Sequence, residues 1–204
     1  MILEQFKGRF GANFAYVVAD EASLEGAVID PSGMEGKILK FAENKGIRIL
    51  FVFNTHRHSD HTGGNAQIVE RTGAKIARHP HSAGPTDIAV GDGDVLKIGG
   101  LEARVIHTPG HSKDGISVLI GKNLFTGDTL FINECGRTDL PNASSEQLWD
   151  SLFNKICKLD DDIVVYPGHD YGPLPHDTLG NQKRTNYTLE PRTVEQFVKF
   201  MLEP

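Results

Sequence analysis

The stretch T-H-R-H-S-D-H-T-G-G, residues 55–64, decides how this chain is interpreted, because it places His56, His58, Asp60 and His61 within six residues. Imidazole and carboxylate groups are ligands for zinc, iron and manganese. Three histidines packed this closely repel one another when they are protonated. The spacing therefore predicts a metal site rather than a solvated polar turn.

The residues on either side show where this motif lies in the fold. Residues 47–53, I-R-I-L-F-V-F, form an almost continuous apolar run, which is typical of a strand buried on both faces. Residues 62–64, T-G-G, lead into a predicted helix that extends to about Arg71. The motif thus occupies a strand-to-helix turn. Such a turn can direct neighbouring side chains in opposite directions, so one short segment can supply ligands to two metal ions.

The overall composition indicates a folded domain with a net negative charge. The 204 residues, 39% of them hydrophobic, contain no linker, repeat or low-complexity tract, so residues 1–204 are predicted to form a single domain. A net charge of −6 argues against nucleic-acid binding. No apolar run reaches the roughly 18 residues of a membrane span. Because an export signal is not recognised and two cysteines make no disulfide framework, a cytoplasmic location is expected.

The order of predicted elements indicates an α/β fold. Strands are predicted at residues 15–19, 27–30, 47–53, 74–77, 94–98, 101–107, 115–120, 123–126 and 163–166. Helices are predicted at residues 34–45, from the histidine motif to 71, and at 144–158, 179–185 and 194–202. The four strands between 94 and 126 are joined by short turns, which is typical of an antiparallel meander. Together these elements predict two mixed sheets that face each other, with helices outside.

Three later segments share one layout, in which an apolar strand ends in a turn that carries a potential ligand. They are T-P-G-H-S with His111, F-T-G-D-T-L-F with Asp128, and V-V-Y-P-G-H-D-Y with His169. The glycine before each ligand permits close backbone approach and unusual dihedral angles. One such segment is weak evidence by itself. In this order after the histidine motif, the three segments give a specific set of seven candidate ligands.

The motif H-x-H-x-D-H, followed by these three residues, resembles the metallo-β-lactamase superfamily over nearly the whole chain. The resemblance implies an αββα four-layer sandwich with a two-metal site at one edge of the sheets. It also implies a division of the ligands between the two ions: His56, His58 and His111 for one, Asp60, His61 and His169 for the other, and Asp128 as a bridge to both.

Simple electrostatics supports such an arrangement independently. Two cations about 3.5–4 Å apart need a shared anion between them, which the Asp128 carboxylate and a bridging water would supply. A water held by two cations loses its proton near neutral pH, because its pKa falls from about 15.7 towards about 7. The resulting hydroxide is a nucleophile that needs no serine or cysteine. Nitrogen and oxygen ligands without thiolate suit two divalent ions, zinc first and iron or manganese as alternatives.

One segment indicates which branches of the superfamily the chain resembles. It is residues 127–139, G-D-T-L-F-I-N-E-C-G-R-T-D. It is similar to the glyoxalase II (hydroxyacylglutathione hydrolase) branch and to the related persulfide dioxygenases. The G-R-T-D and P-G-H-D-Y sequences favour the dioxygenases and the short glyoxalase-like hydrolases. Only 35 residues follow His169, too few for the C-terminal helical domain with which glyoxalase II binds much of its glutathione.

Two functions therefore remain open. The leading prediction is hydrolysis of a hydroxyacylglutathione-like thioester, or of a related acyl ester, by metal-bound hydroxide, with Asp60 orienting the nucleophile. The alternative is oxidation of glutathione persulfide at a single Fe(II) held by His56, His111 and Asp128. Both predictions use the same residues. Arg137 and Tyr171 are candidate substrate contacts, and a homodimer is possible.

Four residues besides the candidate ligands and substrate contacts also carry predictions. Asp30, at the end of its strand, is predicted to support a metal ligand through a hydrogen bond. His79 and His81 flank Pro80 after a short strand and are expected in a plain surface loop. His107 is expected to be buried and hydrogen-bonded, or to lie behind a metal ligand.

Overall fold

Two mixed β-sheets of six strands each form the centre of the structure, a computed structural model that describes residues 1–8 and 12–203. The strands of the first sheet follow one another in chain order: β1 (Ile2–Lys7), β2 (Phe14–Ala19), β3 (Glu25–Ile29), β4 (Arg48–Phe53), β5 (Lys75–Arg78) and β6 (Ile88–Ala89). The first two pairs are antiparallel and the other three are parallel.

The second sheet begins with the predicted antiparallel meander. Its members in chain order are β7 (Val95–Ile98), β8 (Leu101–His107), β9 (Ile116–Ile120), β10 (Asn123–Gly127), β13 (Val164–Pro167) and β14 (Asp177–Thr178). Neighbouring strands from β7 to β10 are antiparallel, whereas β13 is parallel to β10. A separate small hairpin joins β11 (Leu130–Phe131) to β12 (Glu134–Cys135).

Helices cover the outer face of each sheet. They are α1 (Glu35–Lys45), α2 (Ser59–Thr62), α3 (Asn65–Thr72), α4 (Ser145–Trp149), α5 (Leu179–Thr185) and α6 (Val194–Leu202). Strand β2 shows how one sequence serves two layers, because alternate side chains of a strand point to opposite faces. Phe14, Tyr16 and Val18 pack between the sheets, while Ala15 and Val17 pack in the apolar cluster that includes α1. None of the helices in residues 1–8 and 12–203 has the length and apolar character that a membrane crossing requires.

The predicted αββα sandwich is thus confirmed. The structure corrects the predicted bounds and types of several strands and helices. Strand β1 and the two-residue strands were not predicted, because such short or mixed edge segments carry little periodic signal. The helix predicted over 144–158 is α-helical only as far as Trp149. It continues as a π-helical segment, Asp150–Lys155, and a 3₁₀ turn, Ile156–Lys158.

The apolar face of this segment continues through the change of helix type. Leu148, Leu152 and Ile156 are four residues apart, and all three are fully buried against the second sheet. All three belong to one apolar cluster, although they lie in the α-helical, π-helical and 3₁₀ parts of the segment respectively.

Candidate metal centre

The seven predicted ligands meet at one edge of the two sheets, although they come from four separate segments. His56 follows β4, His58 precedes α2, and Asp60 and His61 lie on that short helix. The other three are on the loops after strands of the second sheet: His111 after β8, Asp128 after β10 and His169 after β13. Five of the seven are buried; His58 is partly buried and Asp60 is half exposed.

Three histidines form the first group. His56 Nε2 lies 2.9 Å from His58 Nδ1, and His58 Nδ1 lies 3.1 Å from His111 Nε2. The Oδ2 atom of Asp128 is 3.5 Å from His111 Nε2 and 4.0 Å from His56 Nε2. One oxygen of the Asp128 carboxylate therefore faces this histidine group, which according to the resemblance would hold the first ion.

Asp60, His61 and His169 form the second group. His61 Nε2 lies 3.2 Å from His169 Nε2, and Asp60 Oδ2 is 3.8 Å from the former nitrogen and 3.6 Å from the latter. Asp128 Oδ1 is 3.3 Å from His61 Nε2, and Asp128 Oδ2 is 3.3 Å from His169 Nε2. The Asp128 carboxylate thus lies between the two groups and contacts members of each.

The donor geometry fits metal ions. Ligands about 2.0–2.1 Å from a tetrahedral zinc are about 3.3–3.4 Å from one another, and the nitrogen pairs here are 2.9–3.2 Å apart. A neutral imidazole carries only one N–H, so these facing nitrogens cannot all be paired by hydrogen bonds. Within the described residues, the buried Oδ1 atom of Asp128 has no hydrogen-bond partner. The clusters fit a centre with one or two metal ions.

The pKa shifts of the candidate ligands, in the absence of an ion, also favour a cation at this centre. Burial lowers the pKa of His56 well below its usual value, and His61 lowers it further, so His56 is neutral and able to ligate. For His61, burial acts to lower the pKa, but the carboxylates of Asp128 and Asp30 raise it well above its usual value. Burial acts to raise the pKa of Asp128, yet its histidine neighbours hold that pKa well below its usual value. Positive charge is therefore favoured where the cation would lie.

Asp30 supports this centre from behind, as the sequence predicted. Its carboxylate accepts hydrogen bonds from the backbone N–H of Thr55 at 2.9 Å and from the Thr55 hydroxyl at 2.6 Å. Asp30 Oδ2 also lies 2.9 Å from His61 Nδ1, which orients the opposite ring nitrogen towards the centre. Asp30 has a backbone φ of +50°, a left-handed conformation that aspartate and asparagine tolerate better than most residues.

Asn13 is a supporting residue that the sequence pattern did not reveal. Its side-chain amide donates to the backbone carbonyl of Asp60 at 3.0 Å and to Asp60 Oδ2 at 3.3 Å. Its backbone forms an antiparallel bridge with His169. Asn13 therefore ties together two members of the second group. No local sequence signal could have found it, because these contacts join residues far apart in the chain.

Gly168 is required for steric reasons. A Cβ atom at this position would lie 2.9 Å from His61 Cε1 and closer still to Asp128 Oδ1. The sequence signal here was the glycine in P-G-H-D-Y, from which close backbone approach was predicted. The structure identifies what the backbone approaches: candidate ligands from two other segments.

A pocket of about 430 Å³ opens beside the centre, with His111 and Asp128 in its wall. Aromatic side chains form much of the remaining lining: Phe131, Tyr171, Tyr187 and Phe200. Phe200 belongs to α6, and Tyr187 lies in the 3₁₀ turn before that helix. The C-terminal segment thus builds one side of the pocket.

Both predicted substrate contacts line this pocket, and their role in binding remains a prediction. The Tyr171 ring stacks on His169, with centroids 4.8 Å apart and planes 5° apart. Arg137 Nε donates to Asp139 Oδ1 at 2.5 Å, and the backbone carbonyl of Arg137 lies 2.9 Å from His111 Nδ1. Arg137 therefore contacts a candidate ligand through its backbone, while its side chain pairs with Asp139.

Comparison with known proteins agrees with the geometry of the candidate metal centre. The family model described as "Metallo-beta-lactamase superfamily" matches residues 8–87 and 81–169. Together these segments make up most of the chain and include all seven candidate ligands.

Relatives with different named activities are similar to this chain. The chain is 43% identical to the hydroxyacylglutathione hydrolase of Rhodospirillum rubrum over 164 residues, 78% of this chain and 62% of that protein. It is 30% identical to human mitochondrial persulfide dioxygenase ETHE1 over 211 residues, 98% of this chain and 80% of that protein. The crystal structure of ETHE1 from Myxococcus xanthus superposes with a TM-score of 0.94 at 34% identity, covering 98% of this chain and 90% of that one. The chain thus spans less than two thirds of that hydrolase.

Proposed function

The chain belongs to the metallo-β-lactamase superfamily, and on this premise we propose that it hydrolyses a glutathione-derived thioester or a related acyl ester. The observation that carries the proposal is the pair of three-residue groups on either side of one buried carboxylate, Asp128. Such a pair suits two divalent ions with a shared bridge. Hydrolysis needs no other cofactor.

Each protein residue has a definite part in this proposal. His56, His58 and His111 would hold one ion, Asp60, His61 and His169 the other, and Asp128 both. When bound, the ions would supply a nucleophile from water at neutral pH and polarise the substrate carbonyl. We expect zinc, for which imidazole and carboxylate are suitable ligands.

Asp60 has a second role in the proposal. Its carboxylate is half exposed, unlike that of Asp128, and Asn13 holds one of its oxygens from the side. An oriented carboxylate at the open face can accept a hydrogen bond from an attacking water and fix its direction. Asp60 therefore orients the nucleophile as well as ligating.

The adjoining pocket supports a substrate of moderate size. Its volume of about 430 Å³ falls within the range typical of small-molecule sites, about 300–1,000 Å³. Its aromatic lining suits the apolar part of an acyl group, and the Arg137 guanidinium, once released from its ion pair with Asp139, suits a carboxylate such as those of glutathione. The name hydroxyacylglutathione hydrolase, which several relatives carry, also supports a glutathione-derived substrate.

A second candidate function is oxidation of glutathione persulfide. It is favoured by the likeness to the ETHE1 proteins, which extends over nearly the whole chain, whereas the hydrolase alignment leaves more than a fifth of the chain outside it. In this case His56, His111 and Asp128 would hold a single Fe(II), a two-histidine, one-carboxylate set. The second group would then lie beside the ion without ligating it.

Metal analysis and two activity assays separate the candidates. Protein purified without added metal is analysed for zinc and iron per chain, then assayed for hydrolysis of S-lactoylglutathione and for oxygen uptake with glutathione persulfide. We expect two ions per chain and thioester hydrolysis. One iron per chain with persulfide-dependent oxygen uptake would establish the second candidate instead.

A pair of variants makes the test sharper. His169→Gln removes a ligand from the second group only, and His111→Gln removes one from the first group. If two ions hydrolyse the thioester, both variants lose an ion and most of the activity. If one iron is sufficient, His169→Gln retains that iron while His111→Gln loses it.

A further inference from the structure

The loop that carries His111 is bound by a helical segment outside the candidate metal centre. Residues 107–110, H-T-P-G, lead from the end of β8 to this candidate ligand. Three of their four backbone carbonyls accept hydrogen bonds from residues 144–155, the segment that includes α4. The remaining carbonyl, that of Thr108, accepts one from the Thr129 hydroxyl at 3.3 Å. Each of the four carbonyls before His111 thus has a partner.

Two of the three donors from that segment are side chains. The Ser151 hydroxyl donates to the Pro109 carbonyl at 2.6 Å, and the Lys155 ammonium group donates to the His107 carbonyl at 2.7 Å. Ser151 is fully buried. A serine within a helix often donates to the carbonyl four residues earlier, but Ser151 donates to another segment. Both residues belong to the π-helical segment Asp150–Lys155, a rare helix type that is frequent at functional sites.

The backbones of the loop and of α4 are also in contact. The N–H of Ser144 donates to the Gly110 carbonyl at 2.8 Å. Gly110 has a φ of +150°, and a Cβ atom at this position would lie 2.4 Å from the Leu148 Cα atom. The loop therefore cannot move towards the helix, and the hydrogen bonds oppose movement away from it.

His107, the first residue of this loop, also contacts the first sheet. Its ring stacks on that of His79, in the loop after β5, with centroids 4.0 Å apart and planes 4° apart. His107 is partly buried and hydrogen-bonded, because its Nε2 atom lies 3.1 Å from the Lys113 carbonyl and can donate to it. His79 is buried, which corrects the expectation of a plain surface loop at this position, whereas His81 is exposed. The loop to His111 therefore begins at a fixed residue.

We propose that Ser151 and Lys155 are positioning residues for His111. Their hydrogen bonds fix where the backbone of His111 lies, and the Arg137 carbonyl, 2.9 Å from His111 Nδ1, fixes the orientation of the ring. Because a carbonyl oxygen only accepts, the ring proton is on Nδ1, and the Nε2 lone pair faces the first group. This role presupposes that His111 is a metal ligand, as the proposed function requires, and the second candidate function requires the same.

Loss of either donor should weaken metal binding. An imidazole held by fixed partners binds an ion more tightly than one that is ordered only when the ion binds. Without the Ser151 hydroxyl or the Lys155 ammonium group, one carbonyl of residues 107–109 loses its partner and the loop gains freedom to shift. Both the affinity for a metal ion and the geometry of its ligands should then change.

Cobalt binding tests this role, because the visible absorption of Co²⁺ reports the geometry of its ligands. Ser151→Ala removes the hydroxyl with little change of volume. Lys155→Met removes the ammonium group but keeps the apolar stem, and Lys155→Arg restores an N–H donor. The matched control is Thr72→Val in α3, which removes a hydroxyl that donates to the Ile68 carbonyl at 2.7 Å on the first sheet's side of the molecule. Each full-length protein is freed of metal, titrated with Co²⁺ and then put in competition with a chelator.

We expect Ser151→Ala and Lys155→Met to bind Co²⁺ about 10-fold more weakly, the lower end of the loss typical when outer partners of a ligand are removed, and to shift its absorption bands. Lys155→Arg and Thr72→Val should retain the wild-type affinity and spectrum. Wild-type affinity and spectrum in both Ser151→Ala and Lys155→Met would overturn the proposal, as would an equal loss in Thr72→Val. Because neither measurement depends on turnover, a wild-type protein that binds Co²⁺ but hydrolyses no thioester would refute the proposed function alone.

Discussion

Replacing Gly168 by alanine tests whether the candidate centre depends on close backbone approach. The new Cβ would lie 2.9 Å from His61 Cε1, whereas an ordinary contact for this atom is 3.4–4 Å. His61 must therefore retreat by at least about half an ångström (3.4 Å less 2.9 Å), and Asp128 by more. Since φ at Gly168 lies outside the left-handed region, the whole effect is steric.

The backbone cannot easily move aside to relieve this overlap. The N–H of Gly168 donates to the Gly127 carbonyl at 2.8 Å, and the Gly168 carbonyl accepts from the N–H of Phe14 at 2.8 Å. These bonds fix the residue between the two sheets. The strain must therefore fall on the ligands, at a cost of about 1–3 kcal/mol of folding free energy, as for overpacking in a core.

We expect Gly168→Ala to bind metal 10- to 100-fold more weakly, the range typical of a disturbed ligand environment. A displacement approaching 1 Å at the reacting centre would lower kcat/KM by about 100-fold. Both quantities are measured, by competition with a chelator and by steady-state assay, together with the Tm.

The matched control is Gly36→Ala, a glycine inside α1 where an added Cβ would meet no atom within 4 Å. It should leave metal binding unchanged and stabilise the protein by about 0.5–1 kcal/mol. Wild-type metal affinity and activity in Gly168→Ala would refute the steric argument.

Three further predictions concern residues around the centre and the pocket. Asp30→Asn preserves the left-handed backbone but leaves one acceptor oxygen for three donors, so metal affinity should fall about 10- to 100-fold in chelator competition; unchanged affinity would contradict this role. Burial, with Glu134 nearby, raises the pKa of Cys135 to about 12, so in a Cys157→Ser background iodoacetamide at pH 8 should modify the folded protein roughly a thousandfold more slowly than the unfolded one. Because the pKa of His79 is lowered from 6.5 to about 4, the unfolded state binds more protons between these values, and the free energy of unfolding should fall as pH drops from about 6.5 towards 4. In urea titrations at pH 7 and pH 5 the loss should be smaller for His79→Gln, and an equal loss would contradict the assignment.

The identity of the candidate ligands was available from the sequence because the signals are local. Each candidate ligand lies in a segment that follows an apolar strand, and residues 55–64 carry four of the seven. The glycine and serine caps of the helices are likewise local signals; Gly46 and Gly73, for example, both adopt the left-handed conformation expected of helix C-caps. Such features depend on a few neighbouring residues, so pattern alone reveals them.

Contacts between distant segments could be learned only from the tertiary structure. Asn13 supports Asp60 and His169 from the other end of the chain, α6 contributes Phe200 to the pocket, and His79 stacks on a residue of the opposite sheet. No periodicity encodes these pairings, since they arise when separate elements pack together. The sequence determined which chemical groups are present and on which turns they lie; folding decided their neighbours, because distances between segments depend on how the two sheets pack.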